Sequence, residues 1–212
     1  MPTTLHNTNA LYAITDCANL RGAALYSPVQ QALAGGCRFV QYRDKSDDKV
    51  RRYAEATQLL KLCRQFNAKL IINDDVALAR SVKADGVHLG QSDSTIREAR
   101  QALGAKAIIG ATCHSDMELA RYALQDGANY VAFGRFFPSA TKPDAPPARL
   151  SLLTQVRRRW PDCCIVAIGG ITQANAELAI QQGANYVAVC HDVCHHPNPT
   201  AYARAFARTS AA

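Results

Sequence analysis

Ile71-Ile72-Asn73-Asp74-Asp75, followed by Gly86-Val87-His88-Leu89-Gly90-Gln91-Ser92-Asp93, decides how the rest of the chain is read. Two short apolar runs, Leu70–Ile72 and Gly86–Leu89, each end abruptly in polar residues. An apolar run bounded in this way reads as a buried strand. The stretch between them, Val76–Val82, reads as a short helix. A strand–helix–strand unit of this kind makes the two strands parallel neighbours. Asn73 and Asp74 then leave the first strand at the same pole at which Asp93 follows the second. Two carboxylates from adjacent loops suit a hard cation, although Asp is also a favoured helix N-cap.

The same alternation runs outward to both ends of the chain. Strands are expected at Leu11–Thr15, Arg38–Tyr42, Leu70–Asn73, Gly86–Leu89, Ala107–Ala111, Asn129–Gly134, Cys163–Ile168 and Asn185–Cys190. Helices are expected at Pro28–Gly35, Asp47–Phe66, Val76–Val82, Arg149–Arg159, Thr172–Gln182 and Tyr202–Arg208. Two more start from the capping boxes Thr95/Glu98 and Ser115/Glu118 and run to Leu103 and Gly127. Eight strands alternating with eight helices imply right-handed crossovers and a parallel sheet. In 212 residues this matches one compact (β/α)₈ barrel, a TIM barrel, as a single domain over 1–212 with 1–9 a loose N-terminal segment. Gln125-Asp126-Gly127-Ala128-Asn129-Tyr130-Val131-Ala132 is echoed by Gln181-Gln182-Gly183-Ala184-Asn185-Tyr186-Val187-Ala188, as repeated βαβ units would be. An open doubly wound sheet is the competing architecture, but no Gly-x-Gly-x-x-Gly follows the first strand.

Composition narrows the class. A 48% hydrophobic content is ordinary for a globular chain, and the net charge of +7 is compatible with nucleic acid or with phosphorylated small molecules. The basic run Arg157-Arg158-Arg159 sits at the end of an expected helix, where cations favour the dipole. It lacks the interleaved aromatics of a nucleic-acid surface, so no nucleic-acid partner is expected. Met1–Asn9 has no apolar signal region, and no run reaches transmembrane length. A soluble, cytoplasmic protein without membrane contact is expected. In that compartment the eight cysteines are free thiols.

A barrel of this type gathers its active residues after the strands. In chain order these are Gln41, Arg43 and Lys45; Asn73 and Asp74; Asp93; Thr112 and His114; Ser139, Thr141 and Lys142; Gly169 and Gly170; and His191. At the opposite pole Lys69, Lys106 and Asp162 are sparser. The residue types point to phosphate chemistry. Arg43 and Lys45 supply fixed positive charge. Asp74 and Asp93 suit Mg²⁺. Gly169-Gly170, ahead of a helix expected from Thr172, would let a phosphate approach the backbone, though the pair also suits a plain tight turn. Cations with a metal suit a diphosphate, and the Gly-Gly turn suits a monophosphate. The bottom-up expectation is a transferase that joins a diphosphate-activated group to a phosphorylated acceptor, with charge building on the leaving diphosphate.

Five segments together resemble the thiamine phosphate synthase family. They are Gln41-Tyr42-Arg43-Asp44-Lys45, Ile72-Asn73-Asp74, Gly86 to Asp93, Phe137-Pro138-Ser139-Ala140-Thr141-Lys142 and Ala167-Ile168-Gly169-Gly170-Ile171. The resemblance runs from about Leu11 to Val193. It implies a barrel that couples hydroxymethylpyrimidine diphosphate to thiazole phosphate, releasing diphosphate. It implies Mg²⁺ on Asp74 and Asp93. It implies pyrimidine diphosphate contacts at Gln41, Arg43, Lys45, Asn73, Thr112 and Lys142. For the thiazole phosphate it implies Ser139, Ala140, Thr141, Gly170, Cys190 and His191. Arg43, Lys45, Lys142 and Thr112 would carry catalysis, through a dissociative step in which diphosphate leaves before the thiazole nitrogen attacks. The family more often has Ser at Thr112, Glu at Asp44, Thr at Ser139, and Ile or Val then Ser at Cys190-His191.

The alternatives are a thiazole tautomerase of the same pathway, which would not need Arg43, Lys45, Asp74 and Asp93 together, and a non-catalytic phosphate-ligand sensor. A homo-oligomer is compatible with the sequence. Cys190-His191-Asp192-Val193-Cys194-His195-His196 resembles a transition-metal cluster, but its spacing matches no common structural zinc pattern, and it is set aside. His88 is read as structural; His114, after the fifth strand at the active pole, stands where a general acid or base could sit, with a structural role as the favoured reading. The loop Arg135–Ala148 is expected to close over the substrates.

Overall fold

The computed structural model describes residues 9–138 and 146–207. Eight parallel strands close into a barrel in sequence order. They are β1 Leu11–Ile14, β2 Phe39–Tyr42, β3 Lys69–Asn73, β4 Gly86–Leu89, β5 Ile108–His114, β6 Tyr130–Phe133, β7 Cys164–Ile168 and β8 Tyr186–Val189. The intervening helices are α1 Gly22–Ala34, α2 Lys49–Gln65, α3 Val76–Val82, α4 Ile96–Leu103, α5 Met117–Gln125, α6 Ser151–Arg159 and α7 Ala176–Gln181. Two more, α8 His191–His195 and α9 Pro199–Arg204, follow the last strand. Pairing of β1 with β8, Tyr12 opposite Ala188, closes the ring and excludes the open sheet.

Strand alternation sorts the core into two layers. Tyr12, Ile14, Phe39, Ile71, Ile108, Tyr130, Val166 and Tyr186 point into the barrel. Leu11, Ala13, Val40, Leu70, Ile72, Val87, Ile109 and Val131 point out, beneath the helices. The interior is filled by edge-to-face aromatic contacts, with Tyr12 and Phe39 ring centroids 4.8 Å apart and nearly perpendicular. Gly110 makes this possible. A Cβ there would lie 1.9 Å from the Tyr130 ring.

The Thr95/Glu98 capping box forms in full. Elsewhere local boundaries moved for physical reasons. Helix α1 starts at Gly22 and carries Pro28 inside it, because Leu25, Pro28, Val29, Ala32 and Leu33 make one buried face. The α5 cap is Asp116, not Ser115, and its carboxylate accepts from the Glu118 N–H. Helix α7 begins at Ala176 rather than Thr172. The Thr172 N–H is instead held by Asn175 Oδ1 at 2.9 Å in a tight turn. Helix α9 starts at Pro199, with Asn198 as its cap, ahead of the expected Tyr202. The expected loose segment 1–9 lies outside the described residues except for Asn9, which is buried and donates to the Ala203 carbonyl at 2.8 Å. No helix among the described residues is long and apolar enough to cross a membrane.

Candidate active site

A cavity of about 650 Å³ opens at the C-terminal ends of the strands. Of the residues expected there, Gln41, Arg43, Lys45, Asn73, Asp74, Asp93, Thr112, His114, Gly169, Gly170, Cys190 and His191 all line it. Ser139, Ala140, Thr141 and Lys142 lie outside the described residues, as does the middle of the Arg135–Ala148 loop. The cavity also takes Tyr12, Gln91 and Arg135, which sequence reasoning passed over.

Asp74 and Asp93 meet on one wall. Asp74 follows β3 with φ +64°, a left-handed conformation that costs a non-glycine residue energy, and its N–H is tied to the His88 carbonyl at 2.8 Å. The neighbouring Asp75, not Asp74, caps α3. Asp93 is held by the Gly90 N–H, which donates to its Oδ2 at 2.6 Å. A Cβ on Gly90 would lie 2.9 Å from that same oxygen, so glycine suits the close approach. Burial pushes the Asp93 carboxyl above its usual range, and the Asp74 carboxylate beside it adds to the shift. Lys45 Nζ pairs with Asp74 Oδ2 and relieves part of this repulsion. Two oxygen-donating carboxylates forced together fit a hard divalent cation, which prefers oxygen ligands and would remove their mutual repulsion.

Across the floor runs a polar chain that spans the barrel. The Gln41 amide donates to the Tyr12 hydroxyl at 2.9 Å. Tyr12 and Tyr130 hydroxyls are 2.9 Å apart. His88 Nδ1 lies 2.9 Å from the Tyr130 hydroxyl, and His88 Nε2 lies 2.9 Å from Thr112 Oγ1. Gln91 donates to the Thr112 carbonyl. This network fixes Gln41 and Thr112 at opposite sides of the floor and accounts for His88, which is buried. Period-two alternation in β1 does place Tyr12 inward. Nothing in the sequence shows that its hydroxyl meets that of Tyr130.

On the far wall Gly169 and Gly170 adopt φ +100° and +62°. A Cβ on Gly170 would lie 2.1 Å from the Pro138 carbonyl oxygen, so the turn passes directly beneath the segment that leads to Ser139. Because α7 begins later than expected, the Gly-Gly turn is not itself a helix N-terminus. Cys190 is largely buried, and burial, with Asp16 next, pushes its thiol up to about 11, so it is a packing group with its Sγ directed at the Thr15 carbonyl. His191 is exposed at the cavity rim, stacked on His195 with centroids 4.5 Å apart. His114 takes φ +49° where β5 bulges against β6.

Comparison with known proteins gives the same direction. A family model described as thiamine monophosphate synthase matches residues 11–193. The chain is 52% identical over 189 residues to the thiamine-phosphate synthase of Saccharophagus degradans, covering 89% of this chain and 87% of the relative. It is 50% identical over 187 residues to that of Alcanivorax borkumensis, covering 88% and 86%. Among solved structures, a thiamine phosphate pyrophosphorylase from Pyrococcus furiosus superposes with a TM-score of 0.83 at 31% identity, covering 94% of each chain.

Proposed function

Since the chain belongs to the thiamine monophosphate synthase family and is a transferase of thiamine biosynthesis, we propose that its cavity joins 4-amino-2-methyl-5-hydroxymethylpyrimidine diphosphate to thiazole phosphate, releasing diphosphate. The observation that carries this reading is the opposed pair Asp74 and Asp93 with Lys45, facing the same cavity as Arg43 and the Gly169-Gly170 turn.

In this reading Asp74 and Asp93 hold Mg²⁺, which when bound offsets charge on the diphosphate oxygens. Lys45, released from its pairing with Asp74, turns its ammonium to the diphosphate. Arg43 clamps a second pair of oxygens. Both cations are in place before charge develops, so they favour departure of the leaving group. Gln41 and Thr112, fixed by the floor network, orient the pyrimidine, with Asn73 beside them. Gly170 with the Ser139–Lys142 segment, and His191 at the rim, receive the acceptor phosphate. The carbon–oxygen bond to diphosphate breaks first, its electron pair leaving with the diphosphate, and the thiazole nitrogen then attacks the pyrimidine methylene cation. Eight free thiols support a reducing, cytoplasmic setting.

The test is turnover by the purified chain with both substrates and Mg²⁺, read as thiamine phosphate and diphosphate in equal amounts. Product that requires both substrates and collapses in Asp93→Ala is the expected result. Activity untouched by Asp93→Ala would remove the metal assignment.

A further inference from the structure

Helix α8 opens with His191 and closes with His195, one turn apart on one face. Both rings face Asp16 in the loop after β1. His195 Nε2 lies 2.8 Å from Asp16 Oδ2, and the ligand atoms of Asp16, His191 and His195 all lie within 4.8 Å of one another. Among the described residues this is the one group of three His, Cys, Asp or Glu side chains so arranged. We propose that Asp16, His191 and His195 form a second metal site, for a borderline divalent transition ion such as Zn²⁺ or Co²⁺, at the rim of the cavity and separate from Asp74 and Asp93.

Three features support it. The first is donor chemistry. Two imidazoles and one carboxylate are the nitrogen-rich set that transition ions prefer, whereas the oxygen-only pair Asp74/Asp93 suits a hard cation. The second is preorganisation. Asn19 donates to Asp16 Oδ2 at 2.9 Å, which orients the carboxylate as an outer-shell partner would. Helix α8 is pinned to the end of β1 by Cys194 Sγ on the Ile14 carbonyl at 3.4 Å and by Cys190 Sγ on the Thr15 carbonyl. The ligands therefore come from two elements already fastened together. The third is His191 itself. An ion pair between Asp16 and His195 needs only one imidazole, yet the two rings stack at 27° with their centroids 4.5 Å apart.

Metal–ligand distances of about 2.0–2.2 Å put neighbouring tetrahedral ligands about 3.4 Å apart. To share one ion, ligand atoms now up to 4.8 Å apart close by as much as about 1.4 Å, while the 2.8 Å contact between Asp16 and His195 opens slightly. Three protein ligands would leave a tetrahedral ion one open position, and of the three His191 lines the cavity. The cysteines and histidines of this segment share no common zinc-finger spacing because the third ligand comes from the loop after β1.

The experiment is Co²⁺ titration of the metal-free full-length chain, followed by the visible d–d absorption of the bound ion. One equivalent should bind with a spectrum of mixed nitrogen and oxygen ligation. His195→Ala should weaken it more than about 100-fold, beyond the 10- to 100-fold typical of an outer-shell partner. His195→Gln, which keeps a hydrogen-bonding side chain near Asp16, should lose the ion equally and so separates ligation from packing. Asp74→Ala/Asp93→Ala should leave the cobalt spectrum unchanged. Absence of binding, binding indifferent to both His195 variants, or binding lost only with Asp74 and Asp93 would each overturn the site.

Discussion

At the N-terminal ends of the strands, Asp85, Asn129 and Asn185 perform one task three times, while at the C-terminal ends the described loops turn different side chains into one cavity. Each of the three side chains accepts from the backbone N–H at the start of the preceding strand: Leu70, Ile109 and Ile165, at 3.0, 2.8 and 2.8 Å. Each backbone N–H returns the bond to the carbonyl of that same residue. Each is backed by cations, with Arg64 and Lys69 on Asp85, Arg100 on Asn129, and Arg157 on Asn185. Those arginines spend further donors on loop carbonyls, Arg100 on Gly104 and Ala107, Arg157 on Pro161 and Cys163. Polar groups at this pole are satisfied within the chain. At the other pole Asp74 and His114 sit in left-handed backbone, and Asp93 shares its space with a like charge. Left-handed backbone also occurs at Asn67 and Lys83 ahead of β3 and β4, so the like-charge pair is what sets the second pole apart, and repulsion of that kind persists where a ligand offsets it. The repeated pole holds the barrel together, and the unrepeated pole is set up to bind.

The sharpest way to break this division is to exchange its consequences. Asp93→Ala should lower kcat/KM by about 10²–10³-fold, the scale set by loss of one preorganised electrostatic contact. It should leave the thermal midpoint unchanged or higher, because it removes a carboxylate that burial and Asp74 both disfavour. A fall in stability with activity intact would place Asp93 in the structural set instead. Asn185→Ala should behave in the opposite way. It strands the Ile165 N–H and removes an Arg157 partner, at a cost of about 1–3 kcal/mol. In a chain of this size each kcal/mol corresponds to about 2–4 °C in Tm. The turnover of the protein that remains folded should barely change. Parallel melts and steady-state kinetics of the two variants decide the matter.

The two poles also differed in how much of them the sequence disclosed. Binary patterning placed all eight strands, since buried parallel strands are apolar runs with sharp polar ends. The echo around Asn129 and Asn185 was visible as a repeat, but its meaning was not. A repeat shows that two units share a task, and only the register shows that the task is a hydrogen bond back to the previous strand. At the functional pole, reading the residues after each strand found Arg43, Lys45, Asp74 and Asp93 but fewer than half of the residues that line the cavity. It missed Tyr12 and Tyr130, because a hydroxyl pair across a barrel leaves no local signature. It misjudged the start of α7, because Asn175 captures the Thr172 N–H and turns a helical turn into a loop. It set the Cys190–His196 cluster aside on spacing, and Asp16, which the fold brings to 2.8 Å from His195, is far removed in sequence.

Asp44 sharpens the comparison most finely, because it lies between Arg43 and Lys45 at the functional pole yet is satisfied like a residue of the other. It is buried, accepts from the Ser46 N–H at 2.9 Å and from Arg51 at 3.1 Å, and lies 3.4 Å from the Tyr42 hydroxyl. Burial alone would raise its pKa, but the Ser46 and Arg51 hydrogen bonds outweigh burial and hold the carboxyl below its usual range. A carboxyl lowered on folding contributes stability that is fully present above its unfolded value, about 3.9, and is lost as pH falls through the lower folded value. Asp44→Asn should therefore melt a few degrees below the parent at neutral pH, and the gap should close only below about pH 4. Asp93 is raised, so Asp93→Asn should differ from its parent with the opposite sign, and that difference should begin to shrink at a higher pH, as protonation of Asp93 removes the repulsion. Melting curves of both variants across pH 7 to 2.5 would separate the two carboxylates. A single shared pH dependence would show that Asp44 belongs with the opposed pair rather than with the satisfied set.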